Sequence, residues 1–309
     1  MVSDNGGARA IRGFNFQDAV ISLVCIRNYN EPNFHVFIET DDDFEVLMHE
    51  DYHAYIQVKS GKSLSVTKLA NAPEGKISVF EKNFSNGDEN SVYKIVVHDF
   101  SKSDIKKMSE KLDDELFGSS YSLSSDHAQI VNNQLIDKFS LVVSDFAPKL
   151  EVARTFLTGE MVKQGISVDN KNNQILDEMF RIISQKSEFE VQEENDRFKK
   201  LITTEDLNYI LRKTETFVKF KEILQSLPLS RYMKALIEKE NIKIEVMHYE
   251  LRLKIAKQIQ ENFQLEIVNE NEIIMTTISS DILTGMSEAE KYAVTISAYC
   301  NILEGVLNV

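Results

Sequence analysis

The sequence predicts an α/β core built on a mixed sheet, followed by an all-α C-terminal region. Up to residue 148, short β-branched runs alternate with amphipathic helical runs. Beyond Pro148 the apolar spacing is almost wholly helical. The chain has 309 residues, 42% of them apolar, with 11 Gly and 4 Pro, enough for about two packed units.

Residues 14–29 (FNFQDAVISLVCIRNY) set Phe16, Ala19, Val20, Leu23, Val24 and Ile26 on one apolar face, a helix that Pro32 closes. Three strand-like runs follow, His35–Glu39, Asp43–Met48 and Tyr52–Ser60. Only His49-Glu50-Asp51 separates the last two, which predicts a hairpin. A basic loop marked by Pro73 and Gly75 leads to a helix over Ile77–Phe84 and an apolar strand over Val92–Val97. A charged helix over Ser103–Leu116 and a strand over Lys138–Val143 complete the α/β unit.

Further on, Thr203 and Asp206 form a capping box ahead of Leu207, Ile210 and Leu211. Ser287 and Glu290 form another before the last helix, expected to end near Gly305. Ile242–Phe263 has apolar residues spaced for a helical interface, open to a partner or to the core. Boundaries are expected to give a core over 1–148, a helical extension over 149–216 and a helical docking or oligomerisation region over 217–309.

Composition excludes several classes. Two cysteines, Cys25 and Cys300, cannot make a disulfide framework, which points to a reducing, cytoplasmic compartment. No apolar run approaches the ~18 residues of a membrane span. The opening MVSDNGGARA lacks the apolar core of a secretory signal. No C-x-x-C pair, Walker-type loop or G-x-G-x-x-G occurs, so zinc ribbons, P-loop ATPases and dinucleotide enzymes are out. A net charge of −14 argues against holding nucleic acid by bulk electrostatics. One stretch inverts the sign: from Gln57 to Lys82, five lysines (59, 62, 68, 76, 82) face only Glu74 and Glu81.

The chemistry concentrates in GFNFQ at 13–17, IETDDDFEV at 38–46 and YIQVKSGK at 55–62. Strand alternation puts Gln57 and Lys59 on one face, with Ile56 and Val58 on the other. The hairpin then brings the Asp43 end of one strand beside the Gln57–Lys59 end of the next. Hard oxygen ligands from Asp43 and the Gln57 amide, joined by Glu39 or Asp42, suit Mg²⁺ with several waters. Lys59 would orient the attacking water or stabilise the phosphorane-like state as a positioned charge. Which of Asp41, Asp42 and Asp43 is the main ligand stays open. Asp43 is favoured because it directly precedes the alternating strand.

In their order and spacing these stretches resemble the PD-(D/E)XK nuclease superfamily, in particular the double-stranded DNA endonuclease domain of bacterial antiphage effectors of the CBASS type. The resemblance covers roughly residues 8–216. It includes the I-T-x-E-D-L helix start, present as residues 202–207. It implies a restriction-endonuclease-like core, with Asp43 as the motif aspartate, Gln57 at the variable acid position and Lys59 as the motif lysine. It also implies Mg²⁺, with Mn²⁺ as a substitute, supporting roles for Glu39, Asp42 and Gln17, and DNA contacts from Gln17, Lys62, Lys68 and Lys76. The all-helical tail makes the chain look like the nuclease subunit of a Lamassu-type defence complex. That implies an SMC-like ATPase partner, a small accessory subunit and homo-oligomerisation on activation. A non-catalytic DNA-binding or scaffold subunit, and a nuclease for RNA or single strands, remain alternatives at this stage.

Overall fold

A computed structural model of the chain describes residues 6–303 except 41, 50, 73, 167, 169–171 and 266. Asp41, Glu50, Pro73 and the helix end expected near Gly305 lie outside the described residues. Two compact units emerge, residues 1–210 and 211–309.

The first unit opens with α1 (Gly6–Arg27), β1 (His35–Ile38), β2 (Phe44–Met48) and β3 (Tyr52–Lys59). Then come α2 (Val66–Ala70), α3 (Val79–Phe84), β4 (Val92–Val97) and α4 (Lys102–Ile105). The hairpin β5 (Ser109–Asp114) and β6 (Gly118–Ser122) leads to α5 (Ser125–Val131) and β7 (Phe139–Val143). The unit ends with α6 (Leu150–Lys163), α7 (Asn172–Ser187), β8 (Leu201–Thr203) and the start of α8 (Thr204–Ser226).

The eight strands form one mixed sheet in the order β5-β6-β7-β4-β3-β2-β1-β8. β3, β4 and β7 run parallel at its centre, while β1, β2 and β3 form an antiparallel meander. Helices cover both faces, which is why β4 is buried on both sides rather than alternating. On one face Tyr93, Ile95, Val97, Phe139 and Leu141 pack against Val66 and Leu69 of α2 and Phe80 and Phe84 of α3. On the other, Val20 and Leu23 of α1 lie beside Val96 and Val142. α6 and α7 in turn pack on α1, and Glu160 accepts a hydrogen bond from Arg27 at 3.1 Å.

The structure departs from the expected elements in four places. The first helix begins at Gly6 rather than at residue 14. The charged helix expected over 103–116 is absent: α4 stops at Ile105, and Ser109–Asp114 is the edge strand β5. Ile105, Met108, Leu112 and Leu116 mimic a helical stripe, yet Leu112 is 71% exposed in the strand. Pairing with β6 overrides local preference here, and Gly118 at φ 74° lets the chain double back. The charges of β5 blunt an edge that would otherwise recruit other strands. Third, β8 interrupts the helical stretch and closes the sheet against β1. Thr203 ends that strand and caps α8, with Asp206 N–H donating to its hydroxyl and Asp206 Oδ2 accepting its N–H.

The fourth departure lies in the second unit, which holds the rest of α8 with α9 (Arg231–Met247), α10 (Tyr249–Asn262), α11 (Glu270–Thr277) and α12 (Glu288–Leu303). The run Ile242–Phe263 is two helices broken at His248, which caps the C-terminus of α9 and precedes α10. Ile244, Ile255, Ala256 and Ile259 are buried in this unit's own core around α12, while Ile242 is 77% exposed. The Ser287–Glu290 capping box forms as expected. No helix among the described residues is long and apolar enough to cross a membrane.

One buried charge pair ties the edge hairpin to the sheet. Lys94 of β4 donates to Asp114 and, at 3.2 Å, to Ser140. Burial alone pushes a carboxyl up, but Lys94 and the Phe117 amide hold Asp114 below its usual range. Lys94→Met leaves that carboxylate buried without a counter-ion, which costs about 3 kcal/mol at pH 7. The deficit should shrink toward pH 4 as Asp114 takes up a proton in the variant. Urea midpoints at the two pH values check this.

Candidate active site

The register of the meander assembles the site. Ile38 pairs with Phe44 and Phe44 with Ile56, so one further residue sets Glu39 against Asp43 and Asp43 against Gln57. Glu39 N–H donates to the Asp43 carbonyl at 3.0 Å, which continues the β1–β2 ladder. The β2–β3 ladder ends differently. There the Asp43 side chain replaces a backbone carbonyl, with Oδ2 accepting the Val58 N–H at 2.7 Å. The Lys59 ammonium reaches the same oxygen at 3.3 Å. Asp43 is therefore fixed by strand backbone and by charge.

Gln57 and Lys59 share one face of β3, as alternation requires. Lys59 is half-buried, while Gln57 is completely buried and neither its Oε1 nor its Nε2 has a hydrogen-bond partner. An unpaired buried amide costs about 1–3 kcal/mol. Buried amides are ordinarily hydrogen-bonded, so this one calls for a water or an ion as its partner. A buried amide oxygen across the strand pair from a carboxylate suits a hard divalent cation that keeps several waters. Among the described residues, no three His, Cys, Asp or Glu side chains gather into a ligand set.

The acidic turn is held from three sides. Glu39 sits at φ 50°, a left-handed conformation that costs a non-glycine residue about 1–2 kcal/mol. Gln17 of α1 secures it, donating to Glu39 Oε1 at 2.5 Å. Asp42 is buried and both its oxygens are engaged: Oδ1 accepts the Asp43 N–H at 3.1 Å and Oδ2 accepts from Asn83 at 2.6 Å. Burial pushes its carboxyl up to about 6, against the opposing pull of Asn83. Two residues along β2, Glu45 is fully buried and bonded to Thr40, His53 and Arg197. Burial raises its pKa, but these three partners outweigh it and hold Glu45 below the usual range.

Glu39, Asp43, Gln57 and Lys59 are thus gathered at one end of the meander. Other expected residues fall elsewhere. Gln17, expected among the DNA contacts, is only 8% exposed, because its amide is turned inward onto Glu39 and the Asp43 carbonyl. Asp42 secures the turn and Asn83. Lys62, Lys68 and Lys76 are exposed, and Lys68 Nζ donates to the Ser63 carbonyl at 2.6 Å. Asp99 orders the loop after β3 by accepting the Ser63 N–H at 2.9 Å.

Sequence reasoning missed Asn83, Glu45, Arg197 and Asp18. Glu45 and His53 could have been found, since they lie two residues along the strand from Asp43 and four from Gln57, on the same faces. Arg197 is 152 residues from Glu45 and carries no local signal.

Residues 5–205 match the family described as Cap4, dsDNA endonuclease domain. The chain belongs to this family. Its Cap4-type domain contains the entire Glu39–Asp43–Gln57–Lys59 group, in keeping with the resemblance drawn from the three short stretches. The chain is also 30% identical over 313 residues to the Lamassu protein LmuA of Bacillus sp. (strain NIO-1130), covering 97% of this chain and 99% of that protein. No solved structure matches it.

Asp18, next to Gln17, provides a test of the acidic surroundings. Burial, and then the charge of Glu39, raise its carboxyl to about 7. The folded state thus binds this proton more tightly than the unfolded chain, so its contribution to stability falls as pH rises from about 4 to 7. Asp18→Asn should unfold at a higher temperature than the parent at pH 8. The gap should vanish near pH 4, as followed by thermal melts across that range.

Proposed function

We propose that the chain is a metal-dependent endonuclease that hydrolyses double-stranded DNA with little sequence preference. It acts in the cytoplasm as the effector subunit of an antiphage system. The observation that carries the reading is the unpaired, buried Gln57 amide set across the strand pair from Asp43. Family membership and the similarity to a Lamassu protein support the choice of duplex DNA and of defence.

Asp43 and Gln57, with Glu39 alongside, are the residues that would hold Mg²⁺, or Mn²⁺ in its place. When bound, such an ion lowers the pKa of water and offsets negative charge on the phosphate. The protein's own groups do the rest. Lys59, anchored on Asp43, presents an ammonium to the non-bridging oxygens, where charge grows as the phosphodiester is attacked. Its fixed position means that no reorganisation is needed at that moment. Asp42, Asn83 and Gln17 hold the turn in register, so the Asp43 carboxylate keeps its orientation between strands.

The electrostatics favour control. A net charge of −14 keeps affinity for DNA low at physiological salt, so cleavage depends on help in engaging the duplex. An SMC-like ATPase with a small accessory subunit, or self-association on activation, would supply it.

A plasmid-cleavage assay tests the reading. At low salt and high protein concentration, where weak DNA affinity is offset, wild-type protein with Mg²⁺ should nick and linearise plasmid, EDTA should abolish this, and Lys59→Ala should slow it by ~10³-fold while remaining folded. Cleavage that survives both EDTA and Lys59→Ala would overturn the assignment.

A further inference from the structure

The site described so far accounts for the chemistry but leaves a strongly charged surface beside it unexplained. From Phe16 onward α1 is almost entirely buried, whereas residues 6–12 are all exposed, so its first turns stand clear of the body. Those turns carry Arg9 and Arg12, and no carboxylate occurs in the helix before Asp18. Neither arginine has an ion-pair partner among the described residues. In so acidic a chain, two neighbouring guanidinium groups form a positive island among the described residues.

Their placement is specific. At 100° per residue, Arg9, Arg12 and Gly13 continue the stripe that holds Phe16 and Val20. Phe16 packs its ring against His98 and Phe146, each 5.7 Å away. A Cβ at Gly13 would meet Ser60 Oγ at 3.5 Å, so the helix passes directly over the loop that follows Lys59. One turn further in, Gln17 bonds Glu39. The stripe that fixes α1 to the body therefore turns from apolar to basic where the helix overhangs the mouth of the site. Lys62 stands exposed in the loop beneath. Arg9 and Arg12 lie three residues apart, about 4.5 Å along the axis, so the two guanidinium groups project from the same side of neighbouring turns.

We propose that Arg9 and Arg12 grip the DNA backbone beside the scissile phosphate, with Lys62 below them, and so set the duplex on the site. The inference rests on the nuclease reading above and deepens it. Guanidinium groups suit the role, because their planar fork binds phosphate oxygens in pairs and stays charged at any working pH. Contacts of this kind hold DNA without regard to sequence.

The test compares Arg9→Ala/Arg12→Ala with Lys111→Ala/Lys138→Ala in the full-length chain. The second pair removes the same charge from exposed positions on β5 and just before β7, at the far end of the sheet. Cleavage of a linear duplex is measured under Mg²⁺, and binding of the same duplex is measured in a Lys59→Ala background across NaCl concentrations. For the arginine pair, KM should rise about tenfold or more and kcat stay within about twofold. The slope of log affinity against log salt should become shallower by ~1.8. The lysine pair should match the parent. Unchanged KM and salt slope in the arginine pair, an equal loss in the lysine pair, or a fall in kcat with KM intact would each overturn the proposal. A parent protein that cleaves no duplex would instead overturn the nuclease reading, and the binding arm would still decide this surface.

Discussion

Where β2 leaves β3, a carboxylate oxygen takes the place of a backbone carbonyl, and the site depends on that substitution. Asp43 Oδ2 accepts the Val58 N–H and receives the Lys59 ammonium, so strand pairing and the acid–base arrangement are one structure. A slip of one residue between β2 and β3 would turn Gln57 and Lys59 to the opposite face and leave Val58 without an acceptor. The register must therefore be strongly fixed. Phe44, Val46, Ala54 and Ile56 fix it, all fully buried along the paired strands.

Around this point the fold places rigid supports. Asn83 links the Asp42 carboxylate to the Tyr55 carbonyl, tying α3 to both strands of the hairpin. Gln17 performs the same service from α1 on the other side of the turn. Glu45 gathers Thr40, His53 and Arg197, and Arg197 also lies over the Phe37 ring at 5.1 Å. These contacts stabilise a segment that is otherwise costly: a left-handed Glu39, a buried acid at Asp42 and an unpaired amide at Gln57. Such costs persist when the surroundings over-determine them, as at binding and reactive sites.

Much of this was legible in the sequence for physical reasons. The strands of the meander announce themselves by alternation, and the short link at 49–51 sets the two it joins side by side. Gln57 and Lys59 share a face by arithmetic alone. The edge hairpin was not legible, because Ile105, Met108, Leu112 and Leu116 satisfy helical spacing and only the available edge at β7 decides otherwise. Gln17 was misjudged for a related reason. A polar residue in an amphipathic helix reads as exposed until its partner is known, and here the side chain is turned onto Glu39 and the Asp43 carbonyl of the β1–β2 turn. Arg197 belongs to the same class of long-range partner, invisible to any local pattern.

On the function proposed above, the completely buried amide of Gln57 is what separates a binding site from an inert strand crossing. The most direct measurement is thermal unfolding of the full chain and of Gln57→Leu, each in EDTA and in excess Mn²⁺. Leucine removes an unpaired polar group, so the variant should be the more stable of the two in EDTA, by about 1–3 kcal/mol, and Mn²⁺ should raise the melting temperature of the parent alone. Equal Mn²⁺ shifts in both proteins, or a variant less stable than the parent in EDTA, would contradict a cation site built on this amide.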